Sequence, residues 1–224
     1  MLMLTNLDLI RRVPLFSTLT ADQAESLAGA VGKQRFKRGE FIVEKGKKTG
    51  SLYLILAGRA RVVVTDQKAR EVILATLHAG DFIGEMSLID NEAHSATVEA
   101  EIQTDVLVLA GEDFNRCLHE NMATAAAVMK GLVQRLRSAD RKIESLALMG
   151  VYGRVASVLL DSVAPNAENI RHIKAKMSRQ DIAKMVGASR EMVSRVMKDF
   201  EEQGFIETLE GGDILVKERR KLPR

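Results

Sequence analysis

The spacing of apolar positions changes three times along the chain. Leu7 to Leu15 and Ala21 to Val31 carry helical spacing and predict two short helices. From Gln34 to Leu109 the pattern breaks into short β-rich runs at 41–43, 52–56, 61–65, 72–77, 96–100 and 105–109. Gly39, Gly46, Gly50, Gly58, Gly80 and Gly84 punctuate these runs at turn-like intervals, which predicts many short strands in a compact antiparallel roll or sandwich. Next, Leu118, Met122, Ala125, Met129, Leu132, Leu136, Ala139, Ile143 and Leu146 alternate steps of four and three. A 3.5-residue repeat held that long predicts one long helix with a supercoiled seam of roughly 43 Å, at about 1.5 Å per residue. A second copy of the helix or the chain's own β region could fill the seam, and small Ala125 and Ala139 leave room for either.

The last third returns to helical spacing in shorter pieces. Val151 to Val163 is amphipathic. Ser178 can cap a helix with Asp181 three residues on, Gly187 suits a tight turn, and Ser189 can cap a second helix. In that second helix Val193, Val196, Met197 and Phe200 share one apolar face. The opposite face carries Arg190 with Ser194 and Glu191 with Arg195, each pair four residues apart, in the first two turns. A recognition helix meets base edges there, Arg donating two hydrogen bonds to guanine and Glu accepting one from cytosine. Ordinary solvated charge pairs would look similar. The capped turn, with small Ala183 and Gly187 at the helix crossing, favours DNA. Gly204 can end the helix, and 205–209 faces 214–217 across 210–213 as a hairpin, completing a winged helix-turn-helix. The basic end from Lys217 to Arg224 can touch phosphates or stand as a solvated tail. Because helix-turn-helix proteins commonly read two half-sites one DNA turn apart, the seam is expected to join a parallel homodimer.

Bulk properties narrow the classes. A chain of 224 residues with 46% hydrophobic content suits two domains. The net charge is +3; from Arg171 onward 13 Lys and Arg face 9 Asp and Glu, so the basic excess lies in the winged-helix end. A lone Cys117 excludes an internal disulfide and a four-cysteine cluster within one chain, and reads as a buried small hydrophobe. No metal site is expected, since no Cys/His group has zinc-ligand spacing. No apolar run reaches membrane-spanning length, and Asp8, Arg11 and Arg12 interrupt any signal-peptide core, so a cytoplasmic protein is expected. His78, His119 and His172 are scattered and read as surface residues. No catalytic residues and no enzymatic activity are expected.

One loop carries candidate ligand chemistry. Gly80-Asp81-Phe82-Ile83-Gly84-Glu85-Met86-Ser87-Leu88, followed by His94-Ser95-Ala96-Thr97-Val98, connects two strands of the roll. Successive N–H groups of a glycine-led turn can cradle a phosphate, Ser95 adds a hydroxyl, and Glu85 can accept from a sugar hydroxyl. A plain hairpin connection is the bland alternative.

Over essentially its whole length the chain resembles the CRP/FNR family of bacterial transcription regulators. Gly84-Glu85-Met86-Ser87-Leu88 resembles the family's phosphate-binding cassette, Arg135-Leu136 a matching point on its dimer helix, and Gln180 with Ser189, Arg190, Glu191 and Arg195 its DNA-reading set. The resemblance implies an α+β fold: an N-terminal double-stranded β-roll of the cyclic-nucleotide-binding type at 1–113, a dimerisation helix at 114–149 and a winged helix-turn-helix at 150–224.

Two departures bear on the ligand. In members that bind cyclic AMP an Arg directly precedes the cassette Ser, whereas His94 stands here, and a neutral imidazole does not replace a permanently charged guanidinium. The family's base-contacting Thr-Ser would fall near Ala139-Asp140, and neither matches. A different nucleotide, another effector or an empty pocket follows. Arg137-Ser138-Ala139-Asp140 has the Arg-x-x-Asp spacing of cyclic di-GMP receptors, which places that dinucleotide slightly ahead of cyclic AMP, although a solvated pair has the same spacing. Haem and iron-sulfur sensing lack support, because no Cys-x-His pair accompanies the cassette.

The expected protein is therefore a homodimeric, effector-controlled DNA-binding regulator without a cofactor, with RNA polymerase as a further partner by resemblance. The expected effector site is Gly84, Glu85, Met86, Ser87, His94, Ser95, Arg135, Arg137 and Asp140; the DNA site is Ser178, Gln180, Ser189, Arg190, Glu191, Ser194 and Arg195. By resemblance Arg190, Glu191 and Arg195 read a TGTGA-like half-site, while Ser194 matches the set that reads TTGAT; Arg190 favours the former. Gly150 and Gly153 mark a hinge at 148–153. The alternatives are a ligand-independent DNA binder whose roll is a scaffold, and a regulatory subunit of an enzyme, which Arg190, Glu191 and Arg195 argue against.

Overall fold

The computed structural model describes residues 5–162, 171–173, 177–209 and 213–217. Two compact units divide the chain, Met1–Leu136 and Arg137–Arg224, so the division falls inside the long helix rather than at either of its ends.

In the first unit α1 (Asn6–Arg12) and α2 (Ala21–Ala30) each begin on a reciprocal capping box, Thr5 with Asp8 and Thr20 with Gln23. Pro14 turns the end of the first predicted helix into a single 3₁₀ turn, Pro14–Phe16. Eight strands follow: β1 (Val31–Phe36), β2 (Phe41–Val43), β3 (Ser51–Ala57), β4 (Arg59–Thr65), β5 (Glu71–His78), β6 (Phe82–Ile83), β7 (Thr97–Ala100) and β8 (Thr104–Ala110). They form two antiparallel sheets, ordered β1-β8-β3-β6 and β2-β7-β4-β5. Tyr53, Ile55 and Val106 from one sheet meet Ile42, Ala60, Leu77 and Val98 from the other. The opposite face of β3 and β8, Leu52, Leu54, Leu107 and Leu109, packs under Ile10, Phe16, Leu27 and Phe114 of the helical layer. Covered on both sides, β3 reads as an unbroken apolar run instead of an alternating one. Strand β1 gave no such signal: its middle is Gly-Lys-Gln-Arg, with only the end residues buried.

The heptad seam is interrupted at its start. Helix α4 (Gly111–Glu120) ends before Asn121, whose extended backbone separates it from α5 (Met122–Leu148), so Leu118 belongs to the shorter helix. Both partners considered for the seam have a claim on α5, on different faces. Thr124 and Val128 are buried against the roll, and a Cβ on Gly131 would stand 2.7 Å from the Phe82 ring. Round the helix, Met122, Met129, Leu136 and Ile143 form a stripe at steps of seven, with Leu136 62% and Ile143 64% exposed. Leu132 departs from the stripe and packs on the first unit's core.

The second unit contains α6 (Val151–Asp161), β9 (Arg171–Ile173), α7 (Arg179–Val186), α8 (Arg190–Glu202), β10 (Ile206–Thr208) and β11 (Ile214–Val216). The predicted hairpin forms, Ile206 opposite Val216 and Thr208 opposite Ile214, and β9, which the sequence pattern missed, pairs along the other edge of β11. Val155, Leu159, Ile182, Val186, Val193, Val196, Met197, Ile206 and Ile214 make its core. Phe200 is half-buried, its ring edge-on to both Tyr152 and Phe205 at 6.0 Å. The hairpin turn at 210–212 and the basic end beyond Lys217 lie outside the described residues; Lys217 itself pairs with Glu207 across the hairpin at 2.7 Å.

Candidate effector pocket and DNA-reading face

The loop that connects β6 to β7 contains a short helix, α3 (Glu85–Asp90), where a plain connection was the alternative. Gly84 begins it at φ +95, and a Cβ there would lie 2.5 Å from the Ser51 carbonyl oxygen, so only glycine brings the chain this close to β3. The turn aims Glu85 inward. Its side chain is 2% exposed, and Oε1 accepts from Arg135 Nη1 at 2.6 Å. The same guanidinium donates to the Phe82 carbonyl and lies 4.8 Å over the Phe82 ring. Burial pushes the Glu85 carboxyl above its ordinary value, and the charge and hydrogen bond of Arg135 act against that rise.

Glu85 and Arg135 border a small, open cavity of about 90 Å³. Gly84, Met86, Ser87, His94 and Ser95 also line it, over an apolar floor of Val43, Val62, Leu77, Ile83, Ala96 and Val98. Seven of the nine expected effector residues thus meet at one cavity. Ser87 is tied down, donating to the Glu92 carbonyl, while Ser95 is exposed. His94 is buried; its Nε2 lies 3.0 Å from Thr49 Oγ1, and burial lowers its pKa, so the ring is neutral at neutral pH. Arg137 and Asp140 are not among the lining residues, and both are exposed. On α5 they point about 200° and 140° round the helix from Arg135, so the Arg-x-x-Asp pair shares no face with the residue that reaches the cavity.

In the second unit the predicted caps are present. Ser178 accepts from the Asp181 N–H at 3.0 Å, Ser189 from the Met192 N–H at 3.2 Å, and Gly187 turns the chain at φ +63. These hydroxyls fix where α7 and α8 begin. Gln180, Arg190, Glu191, Ser194 and Arg195 are exposed, while Val193, Val196 and Met197 on the other side of α8 are fully buried. The Glu191 carboxyl is held below its usual range by its own backbone N–H and the Ser189 hydroxyl. Of the expected reading set, α8 therefore presents Arg190, Arg195 and the anion Glu191 to solvent.

The hinge region differs in detail from expectation. Gly150 separates α5 from α6, but Gly153 sits inside α6, where a Cβ would come 3.3 Å from Met149. It allows a close approach there.

Two protein families match the two halves: a cyclic nucleotide-binding domain over residues 33–121 and a Crp-like helix-turn-helix domain over 153–224. The cAMP-activated global transcriptional regulator Vfr of Pseudomonas aeruginosa is 32% identical over 181 residues, covering 78% of this chain and 84% of Vfr. The chain belongs to the CRP/FNR family of transcription regulators. Its CRP/FNR relatives include the cAMP-activated regulator CRP of Salmonella typhimurium, 32% identical over 74% of this chain and 80% of that one. Among solved structures, the c-di-GMP responsive regulator CLP of Xanthomonas campestris superposes with a TM-score of 0.74 over 89% of this chain and all of its own, at 23% identity. That likeness shows the CRP/FNR fold. Within the described residues no helix is long and apolar enough to cross a membrane, and no group of three or more His, Cys, Asp or Glu could hold a metal ion.

Sequence reasoning missed Thr49, the partner of His94, and the stacking of Arg135 on Phe82. Thr49 lies 45 residues before His94 in an unremarkable loop, so only the fold brings them together.

Proposed function

We propose that this chain is a homodimeric transcription regulator that reads an inverted repeat of TGTGA-like half-sites under the control of a cyclic nucleotide or dinucleotide held in the roll. The observation that carries this reading is the outer face of α8, where Arg190, Glu191, Ser194 and Arg195 stand exposed on a helix whose inner face is locked into the core. Arg190 and Arg195 supply bidentate donors for guanine, Glu191 an acceptor for cytosine, and Gln180 with the start of α7 a backbone contact. The exposed apolar stripe of α5 supports pairing with a second copy. RNA polymerase is the proposed partner on DNA.

In the cavity, Glu85 is placed to accept from a ribose hydroxyl, with Arg135 fixing its orientation, and Ser95 and the Gly84 turn face the phosphate. Ligand binding would shift the population of dimer arrangements through α5 and the break at Met149 and Gly150. Arg137 and Asp140 are not among the cavity's lining residues, so cyclic di-GMP keeps the support of their spacing alone and stands beside a cyclic mononucleotide. A second reading, ligand-independent DNA binding, draws on the neutral His94 where a guanidinium would be expected. One experiment separates them: binding to a palindromic TGTGA probe, measured with and without cyclic AMP, cyclic GMP and cyclic di-GMP. A change with any of these supports effector control. Equal affinity throughout supports the scaffold reading, and no preference for the probe over random DNA overturns both.

A further inference from the structure

The cavity has an unusual charge inventory for an anion site. Among the described residues its one cation, Arg135, is already bonded to Glu85 and to the Phe82 carbonyl, so these two charged lining residues cancel. The Ser87 hydroxyl is spent on Glu92. What remains are the exposed Ser95 hydroxyl and His94, which lies beside Gly84: a Cβ on that glycine would be 3.8 Å from His94 Cε1. Its backbone is clamped on both sides, the N–H donating to the Lys47 carbonyl at 2.9 Å and the carbonyl accepting from Gly46 at 2.9 Å. These bonds fix the backbone from which the ring projects. Nε2 meets Thr49, and among the described residues Nδ1 makes no hydrogen bond.

We propose that the cavity takes its anionic effector together with a proton, which His94 accepts as the phosphate arrives, making this residue the site's conditional cation. This rests on the reading of the cavity as an effector site. In the free protein burial keeps the imidazole neutral. A phosphate oxygen within about 4 to 6 Å reverses the balance, because the charged form then has an anionic partner. Nδ1–H donates to that oxygen while Nε2–H donates to Thr49. The Thr49 hydroxyl can donate to a neutral ring or accept from a charged one, so its contact survives in either state.

The other charged groups around the ring come from four segments, and Glu85 opposes His94 in the direction of its pH dependence. Lys47 and Lys48 come from the β2–β3 loop, Lys47 paired with Glu44 at 2.7 Å and Lys48 donating to the Asn91 carbonyl that ends α3. Glu92 stands on the chain leading to His94, Glu85 on α3 and Arg135 on α5. A cyclic phosphodiester keeps its charge throughout. Glu85 titrates from above the ordinary carboxylate range, but protonating it removes an acceptor and weakens binding as pH falls. Protonation of His94 strengthens it.

The test is calorimetric titration of the full chain with cyclic AMP, cyclic GMP and cyclic di-GMP between pH 5.5 and 8, in buffers of different ionisation enthalpy, with the His94 ring nitrogens followed by NMR. For whichever probe binds, affinity is expected to rise as pH falls, by up to about tenfold per unit, with uptake of up to about one proton per site. The His94 signal moves to the charged form at saturation. His94→Arg should bind with a flat pH profile and His94→Asn more weakly with a flat profile; the wild-type result stands alone if either variant fails to fold. Binding without proton uptake, affinity that falls with falling pH, or an unmoved His94 signal overturns this inference and leaves the effector site intact. If none of the three probes binds at any pH, the effector reading falls and takes this inference with it.

Discussion

Arg135 and Glu85, fifty residues apart in the chain, meet at 2.6 Å with the carboxylate almost wholly out of solvent. This contact ties α5 to the cavity wall.

Removing the cation should expose the cost of the buried carboxylate. Arg135→Met is expected to lower stability by about 1 to 3 kcal/mol, below the roughly 3 to 5 kcal/mol for breaking a fully buried pair, because Arg135 is itself partly exposed. The loss carries a pH signature. The folded pKa of Glu85 lies above its unfolded value, so the folded state holds this proton more tightly and stability declines as pH rises from the ordinary carboxylate value through the raised one. Urea titrations from pH 4.5 to 8 should show that decline steepened in Arg135→Met and removed in Glu85→Gln.

Two glycines with left-handed backbone should respond differently to alanine. At Gly84 a Cβ collides with the Ser51 carbonyl, whereas at Gly187 the nearest atom is Leu146 Cδ2 at 3.9 Å. Gly187→Ala should cost only about 1 to 2 kcal/mol of left-handed strain and keep DNA binding. Gly84→Ala adds a steric clash, so a larger drop in melting temperature and loss of any nucleotide binding are expected. Thermal melts and ligand titrations on both variants check this.

The exposed stripe and the buried face of α5 should also separate on substitution. Leu136→Glu with Ile143→Glu places charges where side chains already face solvent, and should give a folded chain of monomer mass by analytical ultracentrifugation. Val128→Glu puts a carboxylate at a position 3% exposed and should lower the melting temperature instead. A dimer that persists in the double variant would remove the stripe from the interface.

Arg190→Ala should leave the fold unchanged and flatten preference at one guanine by about 1 to 3 kcal/mol, read by selection from a randomised half-site. Unchanged preference at every position would remove Arg190 from the reading set.

What the sequence determined by itself were the features set by local spacing. Ser178, Gly187 and Ser189 announce the helix-turn-helix because capping and a left-handed turn act within four residues. The strand runs, the hairpin and the helical repeat of α5 follow likewise from period. Gly84, Glu85 and His94 were legible as one candidate site because those residues sit close together in the chain. Long-range pairing was decided only by the tertiary structure. Strands β1 and β9 exist because β8 and β11 offer an open edge to residues with little apolar signal of their own. The break at Asn121 is invisible to a repeat that continues in phase across it. The tertiary structure also assigned the faces of α5, giving Thr124, Val128 and Arg135 to the roll and Leu136 and Ile143 to solvent. It also set Thr49 against His94. The physical reason is that capping, turns and periodicity are properties of neighbours in sequence, while burial and charge pairing depend on which distant surfaces the fold brings into contact.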